Sequence, residues 1–463
     1  MDHFVINGGN RLSGRLTIKG SKNATLPLMA AALLTDRPMV LTDVPDLADT
    51  RNMVGLLSEL GCRIEFTPAS SFNAAGGTML LHAHDQSQSH ARYEIVRTMR
   101  ASICVLGPML AKRGFARVSM PGGCAIGDRP VDLHLRGLEA LGADVQLHQG
   151  DIIVRVPGGT NGRLKGARIF LGGPMGSTVL GTANVMSAAT LAEGQSIIES
   201  AACEPEVVDL AKMLNAMGAR IRGAGSPRII VDGVESLGGT EHRVIPDRIE
   251  AGTYMCAAAM TNGDITLENC PSDALMAASD AFERIGLIFS PEQSVVGGVA
   301  AQSSTSRDPM RATVRVTCSR VLRPVEITTQ PHPGFPTDIQ AQIMALLCLA
   351  DGNSIITERI YPERFLHVAE LSRMGAKIVR QGSTAVVTGV RKLVGAQVMA
   401  SDLRASACLV LAGLAAEGTT TINRVYHLDR GYESMEDRLR MLGASIERVC
   451  EKNPTNAHEV AAV

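Results

Sequence analysis

Hydrophobic positions take up helical spacing six times along the chain, and every copy ends in the same way. In the first copy Met53, Leu56, Leu57 and Leu60 follow the three- and four-residue spacing of an amphipathic helix. Each helix is followed by a glycine, which is typical of a left-handed helix terminus, and then by a strand-like apolar run. The six endings are LGCRI (60–64), LGADV (141–145), MGARI (217–221), IGLIF (285–289), MGAKI (374–378) and LGASI (442–446).

A second pattern precedes each of these copies. It consists of a helix rich in small apolar residues and a short strand, as in AATLAEGQSIIES (188–200) and AAAMTNGDITLEN (257–269). The copies lie too far apart along the chain for an open solenoid. The pattern therefore predicts six small α/β units, each reading strand, helix, strand, helix, strand, strand (βαβαββ).

The length of the chain and the order of the units predict two domains of three units each. The sixth unit lacks a final strand, and we expect the strand-like segment Arg15–Lys19 to supply it, so that the N-terminus joins the second domain. The predicted bounds are 22–245 for the first domain, 1–21 with 246–450 for the second, and 451–463 for a loose tail. Residues 291–320, rich in Ser, Gly and Val, are interpreted as an inserted hairpin or loop.

Charge and composition exclude several classes of partner. The chain has 45 Lys and Arg against 46 Asp and Glu, which leaves no broad basic face for nucleic acid or an anionic membrane. It has no Trp and only 3% aromatic residues, so platforms for stacked bases are few. The longest apolar runs, at 343–350 and 407–416, are shorter than the roughly 20 residues of a membrane span.

The ten cysteines are scattered singly, without a CxxC pair. This spacing suggests neither a disulfide framework nor a zinc site. The N-terminus carries no signal-peptide pattern. We therefore expect a cytoplasmic protein with reduced thiols, without metal or cofactor, and we expect it to be a monomer.

Polar residues recur where the helices of the units begin, and helix N-termini suit phosphate and carboxylate groups. The first helices of the units begin near Lys22, Asn23, Arg100, Ser177, Thr178, Asp247, Arg248, Asp338, Asp402 and Arg404, and the loops before the second helices carry Cys124, Arg129, Glu204, Tyr361, Arg364, His427 and Arg430. Their recurrence favours a cleft between the domains. The alternative at each position is a simple helix cap or a solvated arginine.

The segment from Pro121 to His134 is the strongest local signal. Cys124 follows two glycines in a stretch of turn-forming residues, and Arg129 lies close enough along the chain to stabilise a thiolate. The commoner fate of a cysteine is to be buried and inert. Its neighbours are turn formers, and they favour an exposed, reactive thiol.

Seven segments together resemble the UDP-N-acetylglucosamine 1-carboxyvinyltransferases, a family of enolpyruvyl transferases. They are IKGSKNATLPL (18–28), VRTMRASI (96–103), PGGCAIGDRPVDLH (121–134), PDRIEAGTY (246–254), HPGFPTDIQAQ (332–342), MASDLRASACLVLAG (399–413) and YHLDRGYE (426–433). The resemblance implies a two-domain inverted α/β prism of six βαβαββ units, three per domain, with the active site in the interdomain cleft. This fold agrees with the repeat.

The resemblance also implies a reaction, in which the enolpyruvyl group of phosphoenolpyruvate passes to the 3′-hydroxyl of UDP-N-acetylglucosamine through a tetrahedral ketal, with release of phosphate. Such an addition needs one proton delivered to carbon and one removed from the hydroxyl. By resemblance, Cys124 donates the proton and can form a covalent phosphoenolpyruvate adduct, while Asp338 is the base and Lys22 and Arg430 complete the catalytic set. The family acts in peptidoglycan synthesis, and we expect fosfomycin to alkylate Cys124.

The remaining assignments concern binding, and all follow from the resemblance. Those for phosphoenolpyruvate are Lys22, Asn23, Arg129, Arg404 and Arg430. Those for UDP-N-acetylglucosamine are Arg100, Arg129, Pro130, Val131, Asp132, Leu133, Ser177, Thr178, Val179, Asp338 and Ile360. Asp402, Tyr361 and Glu204 are expected to line the cleft.

Several positions depart from the family pattern. Asp128 adds a negative charge beside anionic substrates, Cys203 replaces an arginine, Tyr361 replaces a phenylalanine, and the loop at 172–178 differs in length. Two alternatives stay open at this point: an enolpyruvyl transferase for shikimate 3-phosphate, and an inactive paralogue that binds UDP-sugars as a sensor.

Overall fold

The structure of the protein is a computed structural model, and it describes residues 2–121, 130–159, 162–291, 295–296, 299–300, 308–318 and 321–450. The elements up to residue 243 are β1 (His3–Asn7), β2 (Ser13–Thr17), α1 (Lys22–Ala31), β3 (Met39–Val44), α2 (Ala48–Glu59), β4 (Cys62–Thr67), β5 (Gly77–Ala83), β6 (His90–Ala91), α3 (Tyr93–Val96), α4 (Leu106–Arg113), β7 (Phe115–Ser119), α5 (Asp132–Ala140), β8 (Asp144–His148), β9 (Asp151–Arg155), β10 (Arg168–Phe170), α6 (Val179–Ala189), β11 (Gln195–Glu199), α7 (Pro205–Ala216), β12 (Arg220–Arg222), β13 (Arg228–Asp232) and β14 (Glu241–Arg243).

The elements after residue 243 are α8 (Arg248–Met260), β15 (Asp264–Cys270), α9 (Met276–Ile285), β16 (Leu287–Pro291), β17 (Val295–Val296), β18 (Val299–Ala300), β19 (Ala312–Cys318), β20 (Glu326–Thr328), α10 (Gln340–Leu347), β21 (Asn353–Thr357), α11 (His367–Arg373), β22 (Lys377–Gln381), β23 (Thr384–Thr388), β24 (Gln397–Met399), α12 (Ala405–Ala415), β25 (Thr419–Asn423), α13 (Met435–Met441) and β26 (Ser445–Val449). Short 3₁₀ helices cover Ala32–Leu34, Arg100–Val105, Ser272–Leu275, Pro309–Arg311, Thr337–Ile339 and Val425–Arg430.

Six four-stranded sheets repeat one pairing pattern, which confirms the prediction of six α/β units. In each sheet one edge strand pairs in parallel and the other neighbours pair antiparallel, as in β10–β11–β13–β12. The predicted glycine that ends the second helix of each unit has a positive φ in all six copies, from 86° to 125°. Such backbone angles are strained for any residue with a Cβ.

The two N-terminal strands serve different units, and this corrects one expectation. β1 lies between β25 and β26 and completes the sixth sheet. The segment Arg15–Lys19, expected there, instead begins within β2, which pairs in parallel with β15 in the fourth sheet. The physical reason is burial: β1 buries both Phe4 and Ile6 as a central strand, whereas β2 buries Leu16 alone and lies at a sheet edge.

The predicted insertion at 291–320 is also corrected. Its described residues include β17 and β18, which pair antiparallel as a short hairpin. They also include β19, which lies between β15 and β16 in the fourth sheet and is therefore part of a unit. The predicted tail, 451–463, lies outside the described residues.

Buried hydrophobic residues form two clusters. The first core runs from Ala24 to Val244, and the second core combines Phe4–Ile18 with Ile249–Ile446. The chain passes between them twice, around residues 18–24 and 244–249, and the two passages pair at Gly20 and Pro246. We keep the predicted domain bounds as a proposal that this division of the buried residues supports.

Each core is centred on helices that are buried almost all round. In the second core α8, α10 and α12 contact one another, and α12 buries nearly every residue. Small side chains permit this close packing, and a helix that is apolar on all sides belongs in an interior. The N-termini of these central helices carry the residues of the candidate site.

Candidate active site

Lys22 and Arg430 meet at one buried carboxylate. Lys22 is the first residue of α1, and its Nζ lies 3.1 Å from Asp49 Oδ2 in the first turn of α2. Arg430 ends a 3₁₀ helix of the second core, and its Nε donates to Asp49 Oδ1 at 2.9 Å. Burial alone would raise the pKa of Asp49, but Lys22 and Arg430 together lower it. We call Lys22, Asp49 and Arg430 the cationic cluster, because two cations share one carboxylate.

A second group of charges surrounds Arg364. Its Nη1 donates to Asp338 Oδ1 at 2.7 Å, and its Nε lies 3.5 Å from Asp402 Oδ2. The amide of Asn23, from α1, donates to Asp338 Oδ2 at 3.3 Å and so joins the two cores. We call Asn23, Asp338, Arg364 and Asp402 the acidic cluster, because two carboxylates share one cation.

Asp338 is the accessible member of the acidic cluster. Its side chain is 26% exposed, against 5% for both Arg364 and Asp402. Burial acts to raise the pKa of Asp338, but Arg364, Arg404 and Lys22 lower it well below the usual range. Asp338 is therefore an ionised acceptor that is held in place and still open on one side.

Arg404 links the two clusters through two aspartates, Asp247 and Asp402. Its Nη2 lies 2.8 Å from Asp247 Oδ2, and the same oxygen accepts the backbone N–H of Lys22 at 3.4 Å. Asp247 also caps α8, and Asp402 accepts the backbone N–H groups of Arg404 and Ala405 at the start of α12. The N-cap residue of α12 is Arg404, so Asp402 supports the helix start from two residues earlier, and the same side chain faces Arg364.

The loop that carries Ile360 and Tyr361 is held by a buried glutamate. Glu358 Oε1 accepts the backbone N–H groups of Ile360 and Tyr361, at 2.8 and 3.0 Å. Its Oε2 accepts from the hydroxyl of Thr337, next to Asp338, at 2.9 Å. One fully buried side chain therefore fixes both the predicted sugar-contacting loop and the start of the segment that presents Asp338.

Glu204 lies where the cores meet on another side of the cleft. It is buried, and its Oε1 accepts the backbone N–H of His332 at 3.3 Å. Burial raises the pKa of Glu204, although Arg248 lowers it in part. Arg248 in turn forms an ion pair with Glu206 at 3.0 Å.

Most of the residues predicted to hold the nucleotide sugar lie at two helix starts of the first core. Pro130 and Val131 precede α5, which begins with Asp132 and Leu133. Ser177 and Thr178 precede α6, which begins with Val179, and Thr178 accepts the backbone N–H of Gly181 at 3.2 Å. The loop before α6 packs against Leu133 at Gly173, so the two helix starts are neighbours.

Arg100 contacts the residue that precedes the cysteine segment. Its Nη1 donates to the carbonyl of Pro121 at 3.4 Å, at the last described residue before that segment. Cys124, Asp128 and Arg129 lie outside the described residues, so the structure does not test the predictions made for them. The other four residues predicted to bind phosphoenolpyruvate, Lys22, Asn23, Arg404 and Arg430, lie in or between the two clusters.

Sequence analysis missed Asp49 altogether, and it counted Asp247 and Arg364 among the recurring polar positions without assigning them a role. Asp49 looks like an ordinary acidic residue in a helix first turn, Asp247 like a helix cap, and Arg364 like a loop arginine. The only available signal was their position in helix starts and loops that recur between units. Their partners lie far along the chain, and no local pattern encodes such pairing.

Two negative observations apply to the described ranges. Within them, no group of three or more His, Cys, Asp or Glu side chains is arranged to hold a metal ion. No helix among those ranges is long and apolar enough to cross a membrane.

Comparisons with known proteins identify the family and the fold of the chain. The model of the EPSP synthase family (3-phosphoshikimate 1-carboxyvinyltransferase) matches residues 6–439. Two solved structures share the fold: the enolpyruvyl transferase NikO from Streptomyces tendae (TM-score 0.81, 24% identity, 96% of this chain and 98% of that one) and EPSP synthase from Acinetobacter baumannii (TM-score 0.72, 19% identity, 97% of this chain and 100% of that one).

Three relatives of higher sequence identity carry the name UDP-N-acetylglucosamine 1-carboxyvinyltransferase. Those from Akkermansia muciniphila and Anaeromyxobacter sp. are 48% and 49% identical over 97% of this chain and 99% of their own length. The one from Methylacidiphilum infernorum is 48% identical over 98% of this chain and 100% of its own length. The chain therefore belongs to the EPSP synthase family of 1-carboxyvinyltransferases and, within it, to the UDP-N-acetylglucosamine 1-carboxyvinyltransferases.

Proposed function

We propose that the protein transfers the enolpyruvyl group of phosphoenolpyruvate to the 3′-hydroxyl of UDP-N-acetylglucosamine and releases phosphate. The observation that carries the proposal is the joining of a cationic and an acidic cluster across the two cores. The names of the close relatives support the same acceptor.

The cationic cluster suits the donor. Phosphoenolpyruvate carries a phosphate and a carboxylate, and guanidinium and ammonium groups bind both through charge-assisted hydrogen bonds. Lys22 and Arg430 lie on either side of one carboxylate, Asp49, so two cationic side chains meet at the proposed donor site. Asn23, Arg404 and Arg129 complete the proposed donor site.

The acidic cluster suits the acceptor hydroxyl. In the addition step the hydroxyl oxygen bonds to C2 of phosphoenolpyruvate, Asp338 takes the hydroxyl proton, and C3 receives a proton from Cys124. In the elimination step C3 loses a proton, the C2–C3 double bond forms again, and the C2–O bond to phosphate breaks. Because Arg364 lowers the pKa of Asp338, this base is ionised and oriented, although it is not a strong one.

The acceptor would lie along the neighbouring helix starts of the first core. In this proposal Arg100, Arg129 and residues 130–133 contact the uridine side, Ser177, Thr178 and Val179 contact the pyrophosphate, and Ile360 contacts the sugar. Tyr361, Asp402 and Glu204 line the remaining cleft. Closure over both substrates would exclude water from the intermediate.

The wider role follows from the same reaction. We propose that the protein acts as a cytoplasmic monomer in the committed step of peptidoglycan synthesis, and that fosfomycin alkylates Cys124. Incubation with the drug and UDP-N-acetylglucosamine should add one fosfomycin mass to the peptide that contains Cys124. An unmodified Cys124 in mass spectrometry would contradict the drug prediction alone.

The reaction itself is tested by phosphate release from phosphoenolpyruvate with either acceptor. We expect release with UDP-N-acetylglucosamine and none with shikimate 3-phosphate. Release with shikimate 3-phosphate alone would assign the chain to the sister reaction. Binding of the UDP-sugar without any turnover would favour the sensor alternative.

A further inference from the structure

The residues Arg430 to Glu433 close the motif YHLDRGYE, and each has its own attachment. Arg430 binds Asp49 in the first core, and the carbonyl of Gly431 accepts from Arg404 Nη1 at 3.0 Å. The hydroxyl of Tyr432 is buried, 2.8 Å from the hydroxyl of Thr253 and 3.1 Å from Gln342 Nε2. The proposed reaction uses Arg430, whereas Glu433 takes no part in its chemical steps.

Glu433 links three separate parts of the chain. Its Oε1 accepts from Lys19 Nζ at 2.7 Å, and its Oε2 accepts from the backbone N–H of Asp46 at 2.8 Å. The side chains of Lys19 and Glu433 are 4% and 19% exposed, so water screens this ion pair less than a surface pair. Lys19 lies in one of the two passages between the cores, and Asp46 lies just before α2 of the first core.

The two contacts with the start of α2 have the same spacing on both segments. Asp46 and Asp49 are three residues apart at the start of α2, and their partners Glu433 and Arg430 are also three residues apart. The segment 430–433 is therefore fastened to the start of α2 at two points. Gly431 and Tyr432 bind residues of the second core, so Arg430 and Glu433 are the two attachments that fix this segment relative to α2.

We propose that Glu433 is a positioning residue for phosphoenolpyruvate binding, which it serves by fixing Arg430 against Asp49 and Lys22. This inference rests on the proposed function. Glu433 itself does not touch the substrate in this proposal. The carboxylate of Glu433 binds Lys19 Nζ and the Asp46 N–H. Its effect on phosphoenolpyruvate therefore acts through the guanidinium of Arg430.

Kinetics of Glu433→Ala should show a selective loss. We expect the KM for phosphoenolpyruvate to rise about tenfold while the KM for UDP-N-acetylglucosamine changes by less than about twofold, since the second attachment of the Arg430 segment is gone. Glu433→Gln keeps an oxygen for the Asp46 N–H and should restore most of the donor affinity. Asp437→Asn is the matched control, because the Asp437 side chain is 42% exposed and forms its ion pair with Arg440 on its own helix.

A double-mutant cycle with Arg430→Lys separates positioning from general damage. If Glu433 acts through Arg430, the double variant should bind phosphoenolpyruvate about as weakly as the weaker single variant. Additive effects, or an equal rise in both KM values, would overturn the inference. Wild-type turnover measured in parallel shows whether the proposed function itself holds.

A crystal structure of Glu433→Ala tests the positioning without relying on activity. We expect Arg430 Nε to have left hydrogen-bond distance of Asp49 Oδ1, which is 2.9 Å in the native chain. Retention of that bond in the variant would overturn the inference even if wild-type turnover is established.

Discussion

The cationic and acidic clusters are built from the same groups in opposite proportions. In the first, one carboxylate lies between two cations, and in the second, one cation lies between two carboxylates. Both span the two cores, through Arg430 on one side and Asn23 on the other. In the proposed reaction, the cluster with two cations binds the anionic donor, and the cluster with two carboxylates accepts the proton of the acceptor hydroxyl.

The two clusters also differ in which member is accessible. Arg430 is 29% exposed in the cationic cluster and Asp338 is 26% exposed in the acidic one, while their partners are nearly buried. In each case the buried partner holds the exposed group in place. A substrate would thus meet an oriented cation on one side of the cleft and an oriented carboxylate on the other.

The largest expected effect comes from removing the exposed carboxylate. Asp338→Asn should lower turnover by about 1,000-fold, because general base catalysis is lost while the shape of the side chain is kept. Steady-state phosphate release with UDP-N-acetylglucosamine measures it. Asp402→Asn, on the buried side of Arg364, should cost far less, and equal losses in the two variants would contradict the assignment of the base to Asp338.

The next effect concerns the shared carboxylate of the cationic cluster. Asp49→Asn should lower the free energy of unfolding by about 3 kcal/mol, because the nearly buried Lys22 and the part-exposed Arg430 then face each other without the carboxylate charge between them. The midpoint of the first urea-induced transition measures it. Asp46→Asn is the control, since its pair with Arg51 is exposed and should be worth less than about 1 kcal/mol. Similar losses in both variants would show that Asp49 is not special.

Much of the fold could be predicted because it depends on local patterns. The helix-ending glycines are a backbone requirement, and all six were correct. The assignment of the N-terminal strand was wrong because Ser13–Thr17 and His3–Asn7 both look like strands. Only burial in the assembled sheet distinguishes a central strand from an edge strand.

The residues of the candidate site can also be separated into those that a local pattern predicts and those that depend on distant partners. Lys22, Asn23 and Asp338 were predicted as site residues because they lie in recognisable motifs at helix starts, and their roles remain proposals. Asp49 and Glu433 were not, because each takes its role from partners several hundred residues away. Ion pairs between distant segments follow from tertiary packing and leave no periodicity in the sequence.

A buried imidazole beside the acidic cluster should make the stability of the folded protein depend on pH. His367 is buried next to Asp402 and Arg364, and neither ring nitrogen has a hydrogen-bond partner in the described part of the chain. Burial lowers the pKa of His367 from 6.5 to about 4. The unfolded chain therefore binds a proton more readily than the folded one, and stability is lost as the pH falls from 6.5 toward 4.

This loss should be about 2 kcal/mol between pH 7.5 and pH 5. His367→Leu should remove it, so that the difference in stability between variant and wild type shifts in favour of the variant at pH 5. Urea unfolding at the two pH values measures the shift. His84→Leu, at an exposed position, should show no such shift, and a parallel pH response of His367→Leu and wild type would contradict the prediction.

The smallest expected effect separates charge from geometry in the cationic cluster. Arg430→Lys keeps the positive charge but replaces the planar guanidinium, whose Nε binds Asp49 and whose fork geometry suits a phosphate or carboxylate group. We expect the KM for phosphoenolpyruvate to rise about tenfold, with kcat changed by less than about threefold, because ground-state binding is weakened more than the chemical step. Arg424→Lys, at an exposed position of the same segment, is the matched control. If Arg430→Lys lowered kcat as strongly as Asp338→Asn, the two clusters would not divide binding from proton transfer, and the contrast between them would have to be abandoned.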